Sequence, residues 1–365
     1  FPLPTQFSNV NQLLPLSTMG KGGPLLSDTL FTQTLFATRS NNPGLYSAWH
    51  IVAARLDPCF PDLALLTSDP SKCRRQLRLI AQSMSGNGPS DSAPGVLNVD
   101  DAALHLFYEF NEFDFRALAY DWLALRTVES TSAAQPLGIH PTVASEGLTG
   151  PTYQEFTKLI KKYAGEGALT QLTAMEGRTV AWEFAGYKRN GATLTPLPIH
   201  GLPASTVAQT IGADNIGIFS ITPETNESRK LAPLAGEFIN NGGIGGGSVK
   251  LTASQADLNA ALAFTLTVDD PTQQFNPDSL DCVSCHLAGR ARERATMLGV
   301  DSSALPRFDN PRNLTLTGSQ TPKDSPQQQR AFGYRDTAPS LTQRVVNESA
   351  AVADAMETLF PLLRD

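Results

Sequence analysis

Two of the four cysteines of the chain lie in one six-residue stretch, DCVSCH, which ends at His286. Residues three apart lie on one side of a helical turn, so Cys282 and Cys285 would present their thiols together. The imidazole of His286 follows directly. An Asn-Pro-Asp run precedes the stretch, and either Ser279 or Asp281 is typical of a helix cap, which predicts a first-turn position for both cysteines.

Two thiols and an imidazole in this order match the C-x-x-C-H pattern of covalent haem attachment. Each thiol can add to one vinyl group of the same porphyrin, and the adjacent imidazole can bind the iron as its proximal ligand. With only four cysteines and five histidines in 365 residues, a chance match is rare. The pattern therefore predicts a haem site more strongly than a generic thiol site.

The segment resembles a c-type cytochrome, and the likeness is carried by Cys282, Cys285 and His286. It extends over roughly the last 90 residues and does not reach the first 250 or so. The resemblance implies one covalently bound haem c, electron transfer with a redox partner protein, and a periplasmic or extracellular location, because haem is inserted during export.

Three other uses of the thiols remain open. A thioredoxin-like dithiol site would need a preceding strand in a βαβ unit, whereas a loop leads into this motif. A structural zinc site would need two further ligands, and Cys59 and Cys73 lie far away in sequence. A short-range disulfide beside an incidental histidine is the third.

The second axial ligand decides what the iron can do, since two protein ligands favour electron transfer and an open position permits chemistry on small ligands. Met356 has the family-like separation from His286, although it lies on a helical core stripe. His140 and His200 occupy Pro- and Gly-containing loops that can reach a neighbouring domain. His105 is interpreted as a core residue on a helix, and a five-coordinate iron is the remaining alternative.

Arg290, Arg292 and Arg294 follow the motif at two-residue steps, so on a helix they point in different directions. This favours a solvated helix face over an ion pair between one of them and a haem propionate.

The other two cysteines, Cys59 and Cys73, lie 14 positions apart in a turn-rich segment. This spacing predicts a disulfide that closes the loop, and two separate buried thiols are the alternative.

The hydrophobic pattern predicts an α+β fold whose strands are paired by hairpins rather than wound in parallel. Helices are expected over residues 44–56 and 100–110, and further along the chain over 114–128 and 152–165. Strands are expected at 75–82 and through the second hundred residues, where Asn-Gly at 190–191 is a strong hairpin signal.

Three parts are predicted along the chain: an extended arm over residues 1–42, an α+β domain of unknown role over 43–247, and a mainly helical, cytochrome c-like haem domain over 248–365. The boundary is placed in the glycine-rich run NNGGIGGGSVK, interpreted as a linker or wide turn.

Composition limits the partners. The net charge of −7 offers no field for a polyanion, so nucleic acid is not expected as a partner, whereas a homo-oligomer is compatible with the sequence. The sequence shows no apolar stretch long enough for a transmembrane segment, and its opening, FPLPTQFSNV, reads as a mature end left after signal cleavage.

Three functions follow as hypotheses: an exported mono-haem cytochrome that transfers electrons, a haem enzyme or a sensor of gas or peroxide with an open distal site, and a non-haem secreted binding or structural protein with two disulfides. The first is favoured, so an electron carrier is expected rather than an enzyme.

Overall fold

The computed structural model describes residues 12–36, 46–85, 98–125, 140–177, 181–213, 219–243, 246–270, 275–301, 332–335 and 338–360. Its strands are β1 (Met19–Gly20), β2 (Gly23–Pro24), β3 (Trp49–Phe60), β4 (Arg74–Ser85), β5 (Asn98–Val99), β6 (Ala102–Phe110), β7 (Leu169–Gly177), β8 (Ala181–Asn190), β9 (Thr193–Leu197), β10 (Ala208–Ala213), β11 (Phe219–Thr222), β12 (Glu237–Gly243), β13 (Gly246–Lys250), β14 (Phe332–Arg335) and β15 (Ala338–Leu341). Its α-helices are α1 (Asp28–Phe31), α2 (Leu65–Ser68), α3 (Glu112–Ala124), α4 (Pro141–Glu146), α5 (Pro151–Tyr163), α6 (Gln255–Asp269), α7 (Cys282–Met297) and α8 (Gln343–Leu359). Short 3-10 helices cover Tyr46–Ala48, Pro70–Lys72 and Ser228–Leu234.

One antiparallel sheet organises the chain, with the strand order β11-β10-β8-β7-β6-β4-β3. The short strands β5 and β9 extend it by pairing with β4 and β8. Neighbours along the chain pair as hairpins, so the mixed α+β class with a hairpin-paired sheet is confirmed. Side chains alternate between its faces; the first face carries Leu104, Leu106 and Tyr108 of β6, and the second face carries Ala103, His105 and Phe107.

The first face is covered by α3, α5 and the described part of the N-terminal arm. Leu16, Leu25 and Leu26 of the arm are fully buried in this core beside the β6 leucines. The arm is therefore part of the core, with a two-stranded sheet (β1–β2) and a helical turn of its own, rather than a segment lying on the surface. Residues 1–11 and 37–42 of the predicted arm lie outside the described residues.

The second face is covered by α6 and α7. Val283 and Leu287 of α7 share a buried cluster with Leu262 of α6 and with Phe184 and Ile211 of the sheet. The C-terminal helices thus complete the hydrophobic core of the sheet. The glycine-rich run predicted as a linker forms the β12–β13 hairpin, with residues 244–245 outside the described range.

Two predicted helices, over residues 44–56 and 100–110, are wrong: β3 and β6 occupy these segments. Both strands are buried on both faces, so their apolar residues run almost without interruption. A strand of this kind cannot be distinguished from a buried helix by periodicity.

Other predicted elements are confirmed. The strand at 75–82 is β4, and the Asn-Gly signal forms the β8–β9 turn, where Gly191 has φ +62°. Helix α3 begins after Asn111, whose side chain accepts a hydrogen bond from the Asp114 backbone, and α5 follows Gly150. No helix in the described ranges is long and apolar enough to cross a membrane.

The predicted disulfide is confirmed. Cys59 at the end of β3 is joined to Cys73 just before β4, with their Cα atoms 4.5 Å apart. The bond closes the connection between two neighbouring strands of the sheet.

We expect replacement of both cysteines by alanine, in Cys59→Ala/Cys73→Ala, to lower the free energy of unfolding by about 3 kcal/mol, because the open loop adds entropy to the unfolded chain. Denaturant unfolding monitored by circular dichroism measures the change, and Ser71→Ala, in the same loop, is the control. An unchanged midpoint would show that the bond does not restrain the unfolded chain.

Candidate functional site

The first turn of α7 holds the CxxCH motif, as the spacing predicts. Asp281 is the N-cap: its Oδ1 accepts a hydrogen bond from the Ser284 backbone N–H at 2.8 Å. Cys282 is the first helical residue, and the helix continues to Met297. The cap fixes where the helix begins and so which way the cysteines and His286 point.

Two buried side chains attach this helix start to the rest of the fold. Gln209 of β10 accepts a hydrogen bond from the Val283 backbone N–H at 3.0 Å, and its amide donates to the Pro223 carbonyl at 3.1 Å. Thr225 donates its hydroxyl proton to Asp281 Oδ2 at 2.7 Å. The Val283 amide would otherwise be buried without a partner, and Thr225 holds the Asp281 carboxylate that caps the Ser284 amide, so the helix start has one low-energy position in the fold.

Cys282, Cys285 and His286 all line one cavity, of about 100 Å³, between α7 and the second face of the sheet. Its other walls come from the sheet, from residues 275–280 and from the start of α8. The apolar part of the wall is formed by Phe60, Phe107, Met175, Phe184 and Leu280. The three motif residues, which the sequence places within one helical turn, therefore line the same cavity.

The two thiols of the motif are free cysteines. Burial, followed by the charges of Cys285 and Asp281, raises the pKa of Cys282 to about 12. Burial also raises the pKa of Cys285, although the Arg344 guanidinium, which donates a hydrogen bond to its Sγ, opposes the shift. Both groups are therefore neutral thiols at pH 7, unlike the low-pKa thiolate of a dithiol redox site.

His286 packs against an aromatic side chain of the sheet. Its ring lies 4.7 Å from the ring of Phe184 on β8, with the planes inclined at 43°. This contact limits the orientations of the imidazole on the cavity wall.

A second imidazole lines the same cavity, and the sequence did not predict it. His105 projects from β6 on the second face, together with Ala103 and Phe107. Burial, followed by the positive charges of Arg78, His286 and other neighbours, lowers its pKa well below the usual value. No clear alternation in the sequence marks this segment as a strand, because β6 is buried on both faces, and its assignment to a helix kept His105 from being recognised as a cavity residue.

Buried charges lie along the part of the cavity wall that β3, β4 and the start of α8 form. Arg55 pairs with Asp57 at 2.8 Å and with Glu348 of α8 at 3.1 Å, while Arg78 pairs with Asp57 at 3.2 Å. Arg344 lies 3.5 Å from Glu348. Burial alone would raise the pKa of Glu348, but Arg55, Arg344 and Arg78 together lower it to about 2. Three guanidinium groups thus face two carboxylates.

The distal ligands favoured from sequence lie elsewhere. Met356 packs against the first-face core. His140 caps α4 by accepting a hydrogen bond from the Val143 backbone, and it lines a different cavity. His200 lies in a turn between β9 and β10. None of the three lines the cavity at the cysteines.

The arginines of α7 do not form the solvated face that was favoured. Arg290 and Arg294 are buried, and Arg292 forms an ion pair with Asp269 of α6. The three arginines point in different directions around α7. They meet neighbouring elements because α7 lies inside the fold rather than on its surface.

The donors at the cavity suit haem better than a bare metal ion. In the part of the chain that the structure describes, no three His, Cys, Asp or Glu side chains converge on one ion position, whereas structural zinc needs four ligands. In haem c, the porphyrin provides four nitrogen ligands, and the protein provides the attachment thiols and the axial ligands. The free space is below the roughly 300–1,000 Å³ of small-molecule sites, so binding requires side chains such as Arg344 to move aside.

Comparison of the chain with protein-family models, with curated proteins and with solved structures finds no match.

Loss of the cap should destabilise the site. We expect Asp281→Ala to lower the free energy of unfolding by about 2 kcal/mol, because it leaves the Ser284 amide and the Thr225 hydroxyl without their acceptor. Chemical denaturation measures the loss. Asp281→Asn keeps an oxygen acceptor and should recover most of it; equal losses in the two variants would contradict the capping role.

Thiol reactivity tests the burial of the motif. In the haem-free folded chain at pH 8, we expect Cys282 to be alkylated on the order of a thousandfold more slowly than in the unfolded chain, because a pKa of about 12 leaves little thiolate. Mass spectrometry of peptides after timed iodoacetamide labelling gives the rate. Alkylation as fast as in the unfolded chain would instead indicate an accessible thiol of the dithiol class.

Proposed function

We propose that this chain is an exported electron-transfer protein with one haem c, attached through the Cys282 and Cys285 sulfurs and bound at its iron by His286. The observation that carries the proposal is that these three side chains meet at one cavity from a single helical turn. Both cysteines are free for attachment. When bound, haem supplies a one-electron couple between ferric and ferrous iron.

The two thiols are the protein groups that attachment would use. Cys282 and Cys285 would each add S–H across one vinyl C=C bond, so that the sulfur bonds to one vinyl carbon and the hydrogen goes to the other. Atoms and electrons balance without an oxidant. Arg344 would have to release Cys285 Sγ for this addition, and its ion pair with Glu348 can remain.

The cavity wall adapts the site to electron transfer. Phe107, Met175, Phe184 and Leu280 give the cavity an apolar lining, so neighbouring charges would act strongly on an iron bound there. The excess of guanidinium groups over carboxylates disfavours the more positive ferric state. These residues would therefore raise the reduction potential relative to a neutral cavity.

Export is part of the proposal, and the Cys59–Cys73 disulfide supports it independently of the motif. Disulfides persist in oxidising compartments and are rare in reducing ones. A periplasmic or extracellular carrier of one electron at a time requires a redox partner protein to deliver or remove that electron. The non-haem alternative requires a second disulfide, whereas Cys282 and Cys285 are free thiols here.

Covalent attachment is tested by exporting the chain from a host that matures c-type cytochromes. We expect the intact mass to exceed that of the polypeptide by one haem, with a c-type pyridine haemochrome spectrum. Cys282→Ser and Cys285→Ser should each leave a single thioether and shift the haemochrome band, and the double variant should lose covalent haem. Cys59→Ala/Cys73→Ala is the matched control and should keep it.

Two results would contradict the proposal. One is a colourless wild-type protein whose mass shows Cys282 and Cys285 joined to each other. The other is haem that remains covalently attached in the double variant, or wild-type haem that acid-acetone extracts from the polypeptide.

A further inference from the structure

We propose that His105 is the second axial ligand of the haem iron, opposite His286. The inference rests on the proposed function and names a ligand from the sheet, on the far side of the cavity from the haem-binding helix. It assigns the site two imidazoles, and hence a closed coordination sphere suited to electron transfer rather than to chemistry on a small ligand.

The position of His105 in the sheet makes it a rigid ligand. Its backbone neighbours are Ile80 of β4 and Thr173 of β7, so β6 is held on both sides at this residue. Adjacent side chains on the second face include the small Ala103 and Thr173, both of which line the cavity. The imidazole therefore faces the cavity, and the strand that carries it is held in place on both sides.

The two histidines approach the cavity from different elements. His286 packs on Phe184 of β8, and β8 is separated from β6 by β7 alone. Two strand spacings amount to about 10 Å. Both imidazoles line this one cavity, so the two rings border the same space.

The chemistry and position of His105 suit ligation. Imidazole is the commonest metal ligand among protein side chains. The half-buried His105 side chain lines the cavity that Cys282, Cys285 and His286 also line, so a group held by those three residues would meet its ring.

Met175 is the rival ligand, because it also lines the cavity and sits beside Phe184 in the sheet. It is 4% exposed and belongs to the second-face hydrophobic cluster, where a thioether needs no polar partner. Met175 is packed within an apolar cluster, whereas the half-buried His105 imidazole faces the cavity and is the commoner metal ligand, so the inference commits to His105.

Spectroscopy of the purified holoprotein tests this ligand without any activity assay. We expect the wild-type ferric protein to be low-spin by electron paramagnetic resonance, with no sulfur-to-iron charge-transfer band, and the ferrous protein not to bind carbon monoxide rapidly. His105→Ala should become high-spin and bind carbon monoxide rapidly, and added imidazole should restore the low-spin signal. Met175→Leu is the matched control and should keep the wild-type spectra.

If His105→Ala fails to fold, His105→Met answers the same question, because a thioether at this position should introduce the sulfur band. A high-spin wild-type protein would overturn the inference, as would a low-spin His105→Ala or a change of ligation in Met175→Leu. The pyridine haemochrome separates these failures from that of the proposed function. Haem present with unchanged ligation in His105→Ala refutes His105 alone, whereas a wild-type protein without haem refutes both.

Discussion

The site depends on one constraint, the fixed position of the α7 N-terminus on the sheet. Asp281 caps the helix from within, and Gln209 and Thr225 bind the cap and the first turn from the sheet side. Every one of these groups is buried, so a shift of the helix would leave several donors and acceptors unsatisfied, at about 1–3 kcal/mol each. This cost fixes the orientation of Cys282, Cys285 and His286 relative to the cavity.

The site also depends on the buried charges in the cavity wall. The cavity is enclosed by apolar side chains, yet its wall carries Arg55, Arg78 and Arg344 against Asp57 and Glu348. Buried ion pairs of this kind are weak sources of stability, since desolvation offsets much of the attraction. Their effect here is electrostatic: in the proposed haem site, the excess of guanidinium groups would disfavour the more positive ferric state. The network therefore belongs to the site as well as to the core.

The sequence predicted the local features and missed the long-range ones. Cys282, Cys285 and His286 form a contiguous motif with its own helix cap, so their geometry was accessible from spacing alone. The Cys59–Cys73 bond and the Asn190–Gly191 turn were similarly local. His105 was misread because β6 is buried on both faces, and its run of apolar residues lacks the clear alternation of a half-exposed strand. Which residues meet α7 depends on the pairing of β6 with β4 and β7, and no local pattern encodes that pairing.

Met356 shows the same limit of local sequence patterns. Its separation from His286 suited a distal ligand, but α8 places it against the first-face core.

The most direct test of the account is the anomalous diffraction of iron in crystals of the exported holoprotein. The account predicts one iron peak in the cavity, between the rings of His286 and His105, with continuous density from both motif sulfurs to a porphyrin. A cavity without iron, and with the Cys282 and Cys285 sulfurs bonded to each other, would contradict it.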